Sequence, residues 1–299
     1  MKLYAPRYYK DFKCIADKCN HSCCIGWEID IDKNTLEKYS SLSSEYGKVI
    51  ENSIDRNDVP HFRLTCGDRC PHLNDSGLCN IITNEGEEYL CDICREHPRF
   101  YNYTISGKEV GLGISCEEAC KIVLSSDFYD EIMEIGECFG DSEEFEFDPL
   151  KHRTRIYQIL KDSSISYNDK LNKIYTEYDV SPSLYDEEGW RELLSSLEYL
   201  DSEHKELFLK YSSSIVDNKN SEKELERFLA YLIYRHCSEA FYFDEFLMSL
   251  GFALFSESLL ASLINSNDAE SVFDYARIIS EELEYSEDNT EMIKNQFNI

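Results

Sequence analysis

The spacing of apolar residues along the chain changes character near residue 140. Trp27, Ile29 and Ile31 alternate with Glu28, Asp30 and Asp32, which predicts a half-buried strand. Asp32 then stands where an N-cap belongs, and residues 33–46 carry helical spacing. Residues 53–60 are polar and loop-like, and the composition of 74–77 predicts a turn, so Cys70 and Cys79 flank an expected hairpin. Gly111-Leu112-Gly113 reads as a strand-to-helix turn. Ser115 and Glu118 then have the form of a capping box, opening a helix with Cys116 in its first turn and Cys120 on the same face. Residues 137–149 are acidic and end at Pro149, as a linker would. Beyond it the period is helical over 155–161, 167–178, 188–200, 203–214, 222–250, 252–263 and 269–283. Leu225, Phe228, Leu229, Leu232 and His236 form one stripe of the longest of these. The pattern predicts a mainly α protein: a cysteine-rich, metal-bound part with short strands and loops over 1–140, then an acidic helical domain over 150–299.

Charge narrows the function classes. The net charge is −29, whereas phosphate backbones need a basic surface, so no nucleic-acid partner is expected. A lysine-bearing protein suits such a field better; the same charge also serves simple solubility. No run reaches the roughly 18 apolar residues of a membrane span. The first residues, Met1-Lys2-Leu3-Tyr4-Ala5-Pro6, lack the apolar core of a signal peptide, which predicts a cytoplasmic protein. Thiols stay reduced there, so cysteines point to metal or catalysis before disulfides.

Cysteine placement carries the chemistry. Eleven of the 13 cysteines lie between residues 14 and 120, four of them in Cys14-Ile15-Ala16-Asp17-Lys18-Cys19-Asn20-His21-Ser22-Cys23-Cys24. Adjacent side chains diverge, so Cys23 and Cys24 cannot easily share one small pocket, but they can serve two metal atoms. Cys91-Asp92-Ile93-Cys94 has the spacing of a chelating turn. The other spacings are irregular and suit an iron–sulfur cluster ahead of zinc. Neither Cys-x-x-x-Cys-x-x-Cys nor Gly-x-Gly-x-x-Gly occurs, and so many clustered thiols would be an odd way to make a single nucleophile.

These residues resemble the flagellin lysine-N-methylases. The likeness rests on Phe12-Lys13-Cys14, Cys19, Cys23-Cys24-x-Gly26-Trp27 and Ile29-x-Ile31-Asp32. It continues in Cys70-Pro71-x-Leu73, Leu78-Cys79-x-Ile81, Cys94-Arg95-x-x-Pro98-Arg99 and Leu112-x-x-Ser115-Cys116-x-Glu118. The Cys-Pro and Cys-Arg parts are also similar to a broader group of zinc- or iron-chelating proteins. Tyr231-Leu232-Ile233-Tyr234-Arg235-His236 extends the likeness into the helical half. The resemblance implies methyl transfer from S-adenosylmethionine to lysines of flagellin by an enzyme carrying an iron–sulfur cluster. Its implied ligands are Cys14, Cys19, Cys23, Cys24, Cys70, Cys79, Cys94 and Cys116, with Cys66, Cys91 and Cys120 as extras. Arg95 and Arg99 are candidates for the donor's carboxylate or for balancing cluster charge. Arg235 and His236 are candidate catalytic groups, although a satisfied core histidine is the ordinary state of His236. His72 and His97 read as turn-capping residues before ligands. A non-enzymatic metal or cluster carrier and a redox-sensing regulator are the alternatives.

Overall fold

The computed structural model describes residues 1–140, 145–213, 221–266 and 272–298. They are mainly helical, with one small mixed sheet and a short hairpin. The chain packs as two units, one of Lys13–Arg99 with Cys116–Glu118, the other of Met1–Phe12, Phe100–Ser115 and Ala119–Ile299.

The smaller unit holds most of the cysteines in a loop-rich setting. The expected strand at 27–32 is not formed. Ile29 and Ile31 are buried as their alternation predicts, but the segment makes only an isolated bridge from Asp30 to His61. Its backbone is satisfied by single bonds, Ile31 N–H to Pro60 O at 2.7 Å and Phe62 N–H to Ile29 O at 3.1 Å. Asp32 does cap a helix, accepting from the Thr35 N–H at 2.9 Å. That helix stops at Ser41, and Ser44 caps a second, Glu45–Ser53, through the Gly47 N–H at 2.8 Å. The single helix expected over 33–46 is therefore two, because a serine offers the backbone a new start. Residues expected as loop at 53–60 include Ile54–Asp55, which pairs with His61–Phe62.

The larger unit contains a four-stranded sheet in the order Arg99–Thr104, Gly107–Leu112, Lys2–Pro6, Ile132–Glu137. Lys2–Pro6 runs parallel to Gly107–Leu112 with Leu3 opposite Lys108, and antiparallel to Ile132–Glu137 with a register shift between Leu3 and Tyr4. Gly111 lies under Phe100, whose ring carbon would be 2.2 Å from any added Cβ, so only glycine allows that approach. The division thus does not fall at the acidic stretch near 140–150: the first twelve residues and 100–115 belong with the helices.

Three ties explain this. Glu109 and Arg153 form a bidentate ion pair at 2.6 and 2.8 Å, and Arg153 also donates to Ser238 Oγ at 2.7 Å. Asn102, itself buried, donates to the carbonyls of Tyr234 and Arg235 at 3.0 and 2.9 Å, two of the acceptors that a helix end leaves open. Tyr234 OH returns a bond to Val110 O at 3.1 Å.

The helices run Pro149–Leu160, Tyr167–Tyr178, Glu187–Ser196, Ser202–Phe208, Glu222–His236, Phe243–Ser266, Val272–Ile279 and Glu287–Lys294. Asp148, Ser166, Asp186, Asp201 and Ser286 accept from backbone N–H groups at their starts. The expected helix over 222–250 breaks after His236 and restarts at Phe243, where Glu245 accepts from the Phe241 N–H at 2.9 Å. The expected boundaries at 214 and 269 lie outside the described residues. Phe243–Ile264 is long and apolar enough to cross a membrane by length and composition, contrary to the sequence reading. In the fold 72% of that apolar window is buried, so its apolar side chains serve as core.

Candidate functional site

The thiols of the smaller unit are gathered by backbone pairing. Gly26, at φ +94°, turns the chain so that its N–H donates to Asp68 O at 2.9 Å and Cys24 O accepts from the Cys70 N–H at 2.8 Å. Trp27 fixes the same turn by donating to Cys23 O at 2.7 Å. The expected hairpin is present: Leu73 bridges Cys79, and Asn74 N–H donates to Leu78 O at 3.0 Å. Asp32 accepts from the Asp92 N–H at 2.9 Å, which brings the Asp92–Glu96 helix and its leading Cys91 onto the same core. In consequence Cys24, Cys70, Cys79, Cys91 and Cys94 all pack with Ile29, Ile31, Tyr39, Ile50, Phe62 and Ile81.

Electrostatics describe the same grouping. Cys94 interacts with Cys91, Cys24 and Cys70, and Cys70 with Cys24, Cys79 and Cys91. Burial pushes the Cys70 thiol up to about 12. Cys91 is held below the ordinary thiol value by its hydrogen bond with Cys94, and Cys24 by its hydrogen bond with Cys23. None of the cysteines is in a disulfide. Among the described residues no three His, Cys, Asp or Glu side chains converge as a single metal ion requires.

The remaining expected ligands lie elsewhere in this unit. Cys14 and Cys23 are exposed, and Cys19 and Cys116 partly so. The helix begins at Glu117, so Cys116 precedes it instead of occupying its first turn. Cys120 is buried in the larger unit, where its thiol donates to Phe273 O at 3.3 Å; it does not share a face of ligands with Cys116. Cys66 is exposed. Cys91, an extra by family likeness, is buried and packs on the same core as Cys24, Cys70, Cys79 and Cys94. Its Cys-x-x-Cys spacing was the available signal. His72 is fully buried, and Tyr46 OH and Ser53 Oγ engage its two ring nitrogens at 2.9 and 3.0 Å, leaving neither for a metal. Burial lowers the pKa of His97 to about 4, and its ring packs 6.2 Å from Trp27.

The candidate donor and catalytic residues occupy different units. Arg95 is exposed and paired with Asp92 and, at 3.5 Å, Glu96; Arg99 donates to Arg95 O at 3.4 Å. In the larger unit Arg235 and His236 meet a carboxylate that sequence reasoning missed, Glu284. It accepts from Tyr231 OH at 3.0 Å, lies 2.7 Å from His236 Nε2 and 3.4 Å from Arg235 Nε, and its side chain is fully buried. Arg235 also donates to Tyr231 OH at 2.9 Å and lies over the rings of Phe100 and Tyr285. Burial alone would raise Glu284; Arg235 and the His236 hydrogen bond outweigh it and hold the carboxyl below its usual range. The same burial lowers His236 to about 4. Glu284 ends a π-helical turn, Ser280–Glu284, a distortion common at functional positions. No local motif marks Glu284 in an acidic tail.

Comparison with known proteins adds a distant likeness. The chain is 24% identical over 127 residues to lysine-N-methylases of Salmonella choleraesuis and Salmonella typhimurium, covering 40% of this chain and 32% of theirs. Over that part the chain is similar to lysine-N-methylases. It is also 24% identical to the flagellar biosynthetic protein FliU of Salmonella muenchen, over 44% of this chain and 80% of that protein. The match spans about a third of the lysine-N-methylases' own length. No protein-family profile matches the chain, and no solved structure does.

Proposed function

We propose that this protein is a cytoplasmic protein-lysine N-methyltransferase that takes its methyl group from S-adenosylmethionine and acts on flagellin. The observation that carries the reading is the likeness to lysine-N-methylases, joined to a thiol-lined core of a kind that methyl transfer alone does not need. Cys24, Cys70, Cys79, Cys91 and Cys94 are the residues that would hold an iron–sulfur cluster. A polynuclear cluster distributes its thiolates over several irons, which five thiols around one apolar core can match. When bound, such a cluster supplies an anionic, redox-active centre and replaces part of the missing core.

In the transfer step the lysine nitrogen forms a bond to the methyl carbon while the carbon–sulfur bond breaks. The electron pair returns to sulfur, leaving S-adenosylhomocysteine. Only the neutral amine has the lone pair, and with a lysine pKa of about 10.4 fewer than roughly one in a thousand are neutral at pH 7. The site must therefore desolvate the ammonium or accept its proton. Arg95 and Arg99 are the candidate partners of the donor's carboxylate, and desolvation is the route to the neutral amine, since burial suppresses proton uptake by His236.

Calorimetric titration of S-adenosylmethionine into anaerobic, iron-loaded protein tests this. An arginine that grips the carboxylate should, as alanine, weaken binding by roughly 1.5–3 kcal/mol. Absence of binding by fully loaded protein, with flagellin present and absent, would replace methyl transfer by the carrier reading.

A further inference from the structure

The strand Arg99–Thr104 uses its two faces differently, as successive side chains of a strand point to opposite sides. Phe100 and Asn102 turn inward. Asn102 donates to the carbonyls of Tyr234 and Arg235, and the Phe100 ring packs on Tyr231 and Tyr234 at 6.3 and 6.0 Å. Tyr101 and Tyr103 face the other way and are 39% and 37% exposed. Their backbone is held, since the Tyr103 N–H donates to Glu239 Oε1 at 2.7 Å. The turn to the next strand is held too: Thr104 Oγ1 donates to Gly107 O at 2.9 Å and accepts from the Ser106 N–H at 3.3 Å.

That turn brings Lys108 of the neighbouring strand onto both rings. Its ammonium lies 4.4 Å from the centroid of Tyr101 and 4.9 Å from that of Tyr103, inside the roughly 6 Å at which ring faces attract a cation. Lys161, over Tyr129, also pairs with Asp130 at 2.8 Å; Lys108 has no such carboxylate among the described residues. A bare ammonium holds a tight water shell that ring faces do not replace. Methylation keeps the charge and loosens that shell. Two rings without a carboxylate therefore suit a methylated lysine better than an unmodified one.

We propose that Tyr101 and Tyr103 form a clamp for methylated lysine side chains of a partner protein, with Lys108 as its built-in competitor. The role rests on the lysine-methyltransferase reading: the ligand is that reaction's product, so the clamp retains a modified partner while its other lysines react. The rings stand on the face opposite Phe100, over which Arg235 lies, so the clamp is separate from Arg235 and His236. The test is an NMR titration of the whole chain, its tyrosine rings carbon-13 labelled, with N-acetyl-trimethyllysine amide. It needs no methyl donor, iron or flagellin. Lys108→Ala should bind about three- to sixfold tighter than the wild type, the gain from freeing rings that an exposed cation–π contact occupies most of the time. Lys108→Arg keeps a cation on the rings and should bind no tighter than the wild type. Unmethylated N-acetyl-lysine amide should bind more weakly, and Tyr101→Ala/Tyr103→Ala/Lys108→Ala should lose binding altogether. No binding by Lys108→Ala, equal affinity of that variant and the wild type, or binding that survives loss of both rings overturns the clamp and leaves methyl transfer standing. Clamp binding beside flagellin that stays unmodified overturns methyl transfer and leaves the clamp.

Discussion

Replacing Glu109 by alanine tests the unexpected attachment of the sheet to the helices. The carboxylate meets Arg153 through two bonds at 2.6 and 2.8 Å, with side chains only 3% and 7% exposed. Water therefore cannot take over when one partner is removed. The alanine variant leaves a buried guanidinium with Ser238 Oγ and, 5.1 Å away, the face of Tyr234. Stranding such a charge costs about 3–5 kcal/mol, a large part of the roughly 5–15 kcal/mol that holds a protein folded. With a urea dependence of about 3 kcal/mol per molar, the midpoint should fall by more than about 1 M. Removing both charges, as Glu109→Leu with Arg153→Met, should cost much less, since no charge is left unpaired. Urea titration followed by far-ultraviolet circular dichroism reads both. A loss under about 1 kcal/mol for Glu109→Ala would refute the reasoning. So would a fragment of residues 150–299 as stable as the whole, because it lacks Glu109 and Asn102.

Glu284→Gln keeps the shape of its side chain but leaves Arg235 without its anion; it should destabilise by about 3 kcal/mol, readable as a lower thermal midpoint, and an unchanged midpoint would make that carboxylate dispensable. His236 faces Glu284, Arg235 and Lys294 and has its pKa lowered to about 4, so the folded state refuses a proton that the unfolded chain accepts. Stability should be complete above the ordinary value near 6.5 and fall toward pH 4, by at most about 1.4 kcal/mol per pH unit. His236→Phe should flatten that slope in denaturation curves collected across the range; an unchanged slope would place the titration elsewhere. Gly251 has the Phe297 ring 2.2 Å from where a Cβ would stand, so Gly251→Ala should lose about 1–3 kcal/mol, measured in the same urea titrations.

Local signals in the sequence survive where a helix is fixed by its own ends. Ser166 caps Tyr167–Tyr178 at the boundaries its spacing predicts, and the turn between Cys70 and Cys79 follows from Asn74 and Gly77. The break after His236 was hidden because apolar residues continue on both sides, and the new helix at Phe243 begins from a cap formed by Glu245. The pairing of Lys2–Pro6 with strands more than a hundred residues away leaves no local trace. Buried charges are the other blind spot. Arg153, Arg227, Glu257 and Glu284 look like surface residues in an acidic chain, yet all are buried. Glu257 accepts from Tyr167 OH at 2.9 Å, and burial raises its carboxyl to about 7. The thiols were legible as a group, but which of them pack on the apolar core was not.

The most direct test of the proposed function is the mass of flagellin lysine residues after anaerobic incubation with S-adenosylmethionine and iron-loaded protein. Peptide mass spectrometry should find methyl groups on lysine with the wild type and a large loss of them with Cys70→Ser/Cys91→Ser. Unmodified flagellin after incubation with fully loaded, donor-binding protein would contradict the assignment.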